Sequence, residues 1–127
     1  MSTQPMFARV AFIGIGLIGS SLARVMRRDG LAGEIVVASR RQETIDRALE
    51  LGICDRITLS AADAVKDADL VIICTPMSTY KKIAADIAPA LMSGAIVTDV
   101  GSVKAPTFES LGAALPDYVH FVPGHPV

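Results

Sequence analysis

The chain has 127 residues, 51% of them hydrophobic and 20% charged, a size that predicts one domain over 1–127 and a composition that excludes a disordered chain. Twelve Lys and Arg against thirteen Asp and Glu leave a formal net charge of −1, which argues against a nucleic-acid partner, since that needs clustered excess cation. Only two cysteines, Cys54 and Cys74, are present, too few for a disulfide framework and suited to a reducing, cytoplasmic setting.

From the N-terminus, Met-Ser-Thr-Gln-Pro has neither the cationic start nor the cleavage site of a signal peptide. Ala8 to Ile13 reads as a strand ended by glycines. Leu17 to Arg28 reads as a helix, with Leu17, Ile18, Leu22, Val25 and Met26 on one face and Arg24, Arg27 and Arg28 on the other. Arg9, Gly14, Gly16 and Gly19 interrupt this stretch as a membrane span, so no membrane partner is expected. Gly30 and Gly33 break the helix. Glu34 to Ala38 is the second strand and Gln42 to Leu51 the second helix, stopped by Gly52. Asp55 to Leu59 is a third, short strand, and Ser60 with Asp63 has the spacing of a capping box that opens a short helix.

Asp69 to Cys74 is the clearest buried strand. A helix from Thr79 to about Ile87 follows, ended or kinked by Pro89. Ala95 to Asp99 is the next strand, Pro106 suits the first turn of a helix running to about Leu115, and Tyr118 to Val122 is the last strand. Apolar strands alternating with helices predict a doubly wound α/β domain, its mostly parallel sheet covered by helices on both faces. Such a sheet accounts for the apolar surplus by itself; a surface meant to meet another domain remains the second reading.

Gly14-Ile15-Gly16-Leu17-Ile18-Gly19 follows a predicted strand and opens a predicted helix, the context in which G-x-G-x-x-G binds a dinucleotide in a Rossmann-type fold. Gly14 permits the tight turn, Gly16 lets a pyrophosphate approach the backbone, and Gly19 lets the helix pack on the strand. Leu17 and Ile18 lie in the first helical turn, where unpaired N–H groups and the helix dipole favour an anion. A glycine turn that merely packs helix on sheet is the blander alternative.

The end of the second strand bears on the choice of cofactor. A carboxylate there would bind both ribose hydroxyls and repel a 2′-phosphate; this chain has Ser39-Arg40-Arg41 instead. A hydroxyl followed by two guanidinium groups favours NADP over NAD, although both arginines can also be solvated residues before a helix.

Ligands of such sheets sit beyond the carboxyl ends of the strands. Cys74, Thr75 and Pro76 follow the clearest strand as a rigid turn that can floor the cofactor. Asp99 and Gly101 open the next loop, Asp99 fixing it through backbone N–H groups. Ser102 can serve a substrate hydroxyl or cap a helix, and Lys104 can attract an anionic substrate or be solvated. His125 stands in a Gly-His-Pro loop after the last strand, where an imidazole can serve an alcohol oxidation. His120, inside that strand, reads as structural. Cys74 has no nearby base and does not read as a nucleophile. Asp63, Asp67 and Asp69 read as solvated, and no metal site is expected.

Taken together, Gly-Ile-Gly-Leu-Ile-Gly-Ser-Ser-Leu-Ala (14–23), Cys-Thr-Pro (74–76), Asp-Val-Gly-Ser-Val-Lys (99–104) and Pro-Gly-His-Pro-Val (123–127) resemble the prephenate/arogenate (cyclohexadienyl) dehydrogenases of tyrosine biosynthesis. The resemblance covers essentially the whole chain, and the second pair of motifs is far more specific than the first. It implies an oxidative decarboxylation in which His125 polarises the ring hydroxyl of a small-molecule substrate, prephenate or arogenate, and Ser102 assists at the same hydroxyl. Members using NAD usually carry Asp where this chain has Ser39. Members also continue past the position of Val127 into a helical domain that supplies the homodimer interface and cationic substrate contacts. The expectation is therefore the cofactor-binding part of such an enzyme, inactive or weakly active alone. The alternative is a free-standing module that binds NADP(H) without chemistry; a third is another hydroxy-acid dehydrogenase of the same fold.

Overall fold

The computed structural model describes residues 6–14, 16–39, 46, 50, 52, 54–75, 80–99 and 119–122. Its strands are β1 (Phe7–Ile13), β2 (Ala32–Ala38), β3 (Arg56–Thr58), β4 (Leu70–Ile73), β5 (Ile96–Asp99) and β6 (His120–Val122). Helices α1 (Gly16–Arg28), α2 (Ala61–Val65) and α3 (Tyr80–Ile87) lie between them. One six-stranded sheet results, in the order β3-β2-β1-β4-β5-β6, every neighbouring pair parallel. The doubly wound α/β reading is therefore correct.

Side-chain alternation along the strands builds two cores. Val10, Phe12, Ile35, Val37, Leu70 and Ile72 pack with Ala23 and Met26 of α1. Ala11, Ile13, Val36, Ala38, Val71, Ile73 and Val97 pack with α2 and α3 through Ala64, Val65, Ile83, Ala84 and Ile87. The strands read as unbroken apolar runs because both faces are covered.

Several local expectations need correction. β2 starts at Ala32, which pairs with Phe7, so Gly33 lies inside a strand and Gly30, at φ +67°, is the residue that turns the chain. Val25 is 38% exposed, because Ala23 and Met26 occupy the part of α1 that meets the sheet. Ser60 Oγ accepts from Asp63 N–H at 3.2 Å, but the Ser60 N–H donates to Thr58 Oγ1 at 3.0 Å, so the reciprocal half of the capping box is not made. Pro89 sits in a short 3-10 turn, Ala88–Ala90, that carries on from α3. Asp46 and Glu50 are helical, in keeping with the second predicted helix; the rest of it and the helix predicted from Pro106 lie outside the described residues.

Asp69 is not simply solvated. Its carboxylate accepts from Ala8 N–H at 2.8 Å and Arg9 N–H at 2.9 Å, tying the start of β4 to the start of β1. Asp55, just before β3, does the same for β2, accepting from Ile35 N–H at 2.9 Å while pairing with Arg27 at 3.1 Å. Hydrogen bonds to an ionised acceptor are stronger than neutral ones, so these two aspartates set where parallel pairing begins. Arg9 pairs with Glu34 and reaches Asp67 at 3.9 Å along the same edge. His120 is exposed, and its N–H donates to the Ala95 carbonyl at 2.8 Å in the sheet ladder.

Candidate functional site

The strand registers bring four ends level. Ile13 pairs with both Ala38 and Ile73, and Ile73 with Asp99. β6 ends beside this line, Val122 pairing with Thr98. The residues that follow, Gly14, Ser39 and Cys74, therefore share one rim. After β1 the chain builds outward through β2 and β3, then returns to the other side of β1 for β4. The β1/β4 boundary is thus the point where winding reverses and a crevice opens beyond the strand ends.

Gly14 turns the chain at that boundary with φ +76°, a conformation in which an L side chain is strained. Its N–H donates to the Ala38 carbonyl at 2.6 Å, while Cys74 N–H donates to the Ile13 carbonyl at 2.8 Å. A Cβ added at Gly14 would stand 2.8 Å from Thr75 Cγ2 and 3.5 Å from Thr75 N. The turns after β1 and β4 are therefore pressed together at the base of the crevice.

Helix α1 opens beside this turn, with Gly16, Leu17, Ile18 and Gly19 as its first turn, one residue earlier than predicted. That turn contains no acidic residue, and Arg27 and Arg28 occupy the last turn. The charges complement the helix dipole and leave its positive end available to an anion. On this observation the residues present fit the phosphates of a dinucleotide.

Ser39 is half-buried one residue beyond β2, and its N–H donates to the Thr58 carbonyl at 3.2 Å. Thr58 is a contributor that sequence reasoning missed; the only signal was its position at the end of a three-residue strand. Asp99 closes β5 as a buried carboxylate, 3% exposed. The structure thus gathers Gly14, the first turn of α1, Ser39, Cys74, Thr75 and Asp99 at one edge of the sheet. Arg40, Arg41, Pro76, Gly101, Ser102 and His125 lie outside the described residues. Among the described residues, no three His, Cys, Asp or Glu stand close enough to hold a metal ion, and no helix is long and apolar enough to cross a membrane.

Burial pushes the Cys74 thiol from its ordinary value near 9 up to about 12. The side chain is therefore a neutral thiol near neutral pH, in keeping with its reading as a non-nucleophile. Burial, and secondarily Asp55, also pushes the Cys54 thiol up, against a smaller opposing effect of Arg27. For Cys74 the linkage has a definite sign. Between the two values the unfolded chain releases the proton and the folded chain keeps it, so stability falls as pH rises through that window. The loss of stability in denaturant unfolding between about pH 8 and about pH 10 should be smaller in Cys74→Ala than in wild type by about 1.4 kcal/mol in total. Equal pH slopes in both proteins would refute this assignment.

Residues 22–127 match the family described as the prephenate dehydrogenase nucleotide-binding domain. The chain belongs to this family. Its cyclohexadienyl dehydrogenase relative from Zymomonas mobilis is 38% identical over 121 residues, covering 95% of this chain and 41% of the relative. Prephenate dehydrogenase from Bacillus subtilis is 31% identical, over 93% of this chain and 32% of its own. The A. aeolicus prephenate dehydrogenase, solved with hydroxyphenyl propionate and NAD+, superposes with a TM-score of 0.83 at 35% identity. That alignment covers all of this chain and 43% of the A. aeolicus one. Synechocystis arogenate dehydrogenase superposes at a TM-score of 0.82 with 32% identity, over 93% of this chain and 40% of that one. The chain thus spans about a third to two-fifths of the length of these family members.

Proposed function

We propose that this nucleotide-binding domain is the cofactor-binding part of an NAD(P)-dependent dehydrogenase that oxidatively decarboxylates prephenate or arogenate, and that residues 1–127 form a single domain. The observation that carries the reading is the contact between the Gly14 turn and Thr75 where winding reverses, in a chain of this family. Such a crevice, beside a helix N-terminus without acidic residues, suits a pyrophosphate.

Bound at this rim, nicotinamide supplies the acceptor for a hydride. His125 accepts a hydrogen bond from the substrate's ring hydroxyl and raises electron density on that oxygen, which favours hydride departure from the carbon bearing it. Loss of the ring carboxylate as CO₂ then leaves its bonding electrons in the ring, which becomes aromatic. Ser102 supports the same hydroxyl, and Asp99 holds the loop that carries Ser102. A helical C-terminal domain, as the resemblance implies, supplies the homodimer interface and the cations that hold the substrate's carboxylates. The expected setting is the cytoplasm.

The test is turnover by this chain extended to the length of its relatives. Prephenate or arogenate should be consumed with matched release of CO₂ and reduction of the dinucleotide. An extended protein that binds NADPH and oxidises neither substrate would instead be a non-catalytic nucleotide-binding module.

The reading includes NADP in preference to NAD. Ser39 stands where a ribose-binding carboxylate would exclude a 2′-phosphate, and Arg40 and Arg41 follow it. Ser39→Asp combined with Arg40→Ala should shift the ratio of NADP to NAD affinities toward NAD by about tenfold or more, the scale of a lost charge-assisted hydrogen bond. An unchanged ratio in equilibrium titrations would show that the phosphate lies elsewhere.

A further inference from the structure

The edge strand β3 has three residues and none is fully buried: Arg56 is exposed, and Ile57 and Thr58 are half-buried. Little apolar burial holds this strand to the sheet, and side-chain bonds secure it at both ends. At its start, Asp55 N–H donates to the Ile35 carbonyl at 2.8 Å, while the Asp55 carboxylate accepts from Ile35 N–H and pairs with Arg27. At its end, the Thr58 carbonyl accepts from Ser39 N–H at 3.2 Å, and Thr58 Oγ1 accepts from Ser60 N–H at 3.0 Å. Ser60 caps α2, whose Ala64 and Val65 lie in the core.

The registers connect this strand to the rim. β1 pairs with β2 as far as Ile13 and Ala38, and the chain after β1 then turns away at Gly14. Beyond Ala38, the support that reaches Ser39 N–H comes from β3. A line of contacts thus runs from the core through α2, Ser60 and Thr58 to the backbone of Ser39.

We infer that Thr58 is a positioning residue for coenzyme selectivity: its carbonyl fixes the Ser39 backbone, and its hydroxyl fixes that carbonyl against the start of α2. The inference rests on the dinucleotide reading above, in which the residue after β2 meets the ribose and any 2′-phosphate. Thr58 acts through Ser39 and not by contact with the coenzyme. Hydrogen bonds weaken steeply with distance and angle, so a Ser39 that is no longer held in place loses much of its bond to a phosphate. That loss falls on NADPH more than on NADH, which differ only in the 2′-phosphate.

The test titrates the chain with NADPH and NADH at a temperature below the lowest Tm of the set. Thr58→Val keeps the shape and strand preference of threonine but removes Oγ1. It should lower the ratio of NADPH to NADH affinity by about three- to tenfold, the scale of one hydrogen bond. Thr58→Ser keeps the hydroxyl and should restore the ratio. Asp55→Ala loosens the start of β3 while Ser60 still holds its end, so it should lower Tm and leave the ratio unchanged. The wild-type ratio in Thr58→Val, whatever its Tm, would overturn the inference and leave the dinucleotide site intact. A ratio shifted as far in Asp55→Ala or in Thr58→Ser would overturn it too. Failure of the unaltered chain to bind either dinucleotide would overturn both the inference and the reading beneath it.

Discussion

Gly14→Val should abolish most dinucleotide binding, raising the Kd for NADPH by about a hundredfold or more, and should also lower stability by about 2–4 kcal/mol. Two separate costs add at this position. At φ +76° any L residue is strained by roughly 1–2 kcal/mol, and a β-branched one by more. The new Cβ would also meet Thr75 Cγ2 at 2.8 Å, closer than carbon atoms tolerate. Relief requires Thr75 to leave its rotamer, or the turn or the end of β4 to shift, yet the turn is tied to Ala38 and Cys74 is tied to Ile13. The first turn of α1 follows two residues later, so any shift displaces the N–H groups that would meet the phosphates. Gly94→Ala is the matched control, since Gly94 also has a positive φ, +84°, but nothing lies within 4 Å of its added Cβ. It should lose stability through backbone strain and keep its affinity. Wild-type NADPH affinity in Gly14→Val would remove this turn from the binding site.

His125→Asn, in the chain extended to the length of its relatives, should lower kcat by about a thousandfold, within the range for losing a positioned acid–base group. Asparagine keeps a polar side chain of similar reach but cannot hold a proton as imidazole does. The dinucleotide Kd should stay within about twofold, because the proposed role is at the substrate hydroxyl and not at the phosphates. Ser102→Ala should cost less, about tenfold, if it only supports that hydroxyl. A His125→Asn enzyme with unaltered kcat would leave the proposed chemistry without its central group. Loss of binding in place of turnover would assign the histidine to the cofactor.

Much of the fold was legible because its signals are local. The apolar runs at Val10–Ile13, Ile35–Ala38 and Leu70–Ile73 are buried on both faces, and a parallel sheet covered by helices follows from that. The turn at Gly14 was legible too, since a glycine between a strand and a helix suits the positive φ of +76° found there. The sequence misled where burial depends on the exact rotation of a helix, as at Val25, or where a polar side chain finds a distant partner. Asp69 bonds backbone 60 and 61 positions away, and Asp55 bonds backbone 20 away. Each aspartate stands one residue before a strand, a signal visible only once pairing of that strand with its neighbour is known.

Taken alone, the order of residues determined the element types, the class of sheet, the glycine turn and the motifs by which the chain is known for a member of its family. These depend on periodicity and spacing over a few residues, which propensity and hydrophobic pattern encode directly. Only the folded chain decided that β1, β2, β4 and β5 end level, that Gly14 meets Thr75, and that Ser39 N–H bonds the Thr58 carbonyl. Register between parallel strands is set by contacts across long crossovers, so two residues twenty positions apart become neighbours through pairing that neither residue specifies by itself.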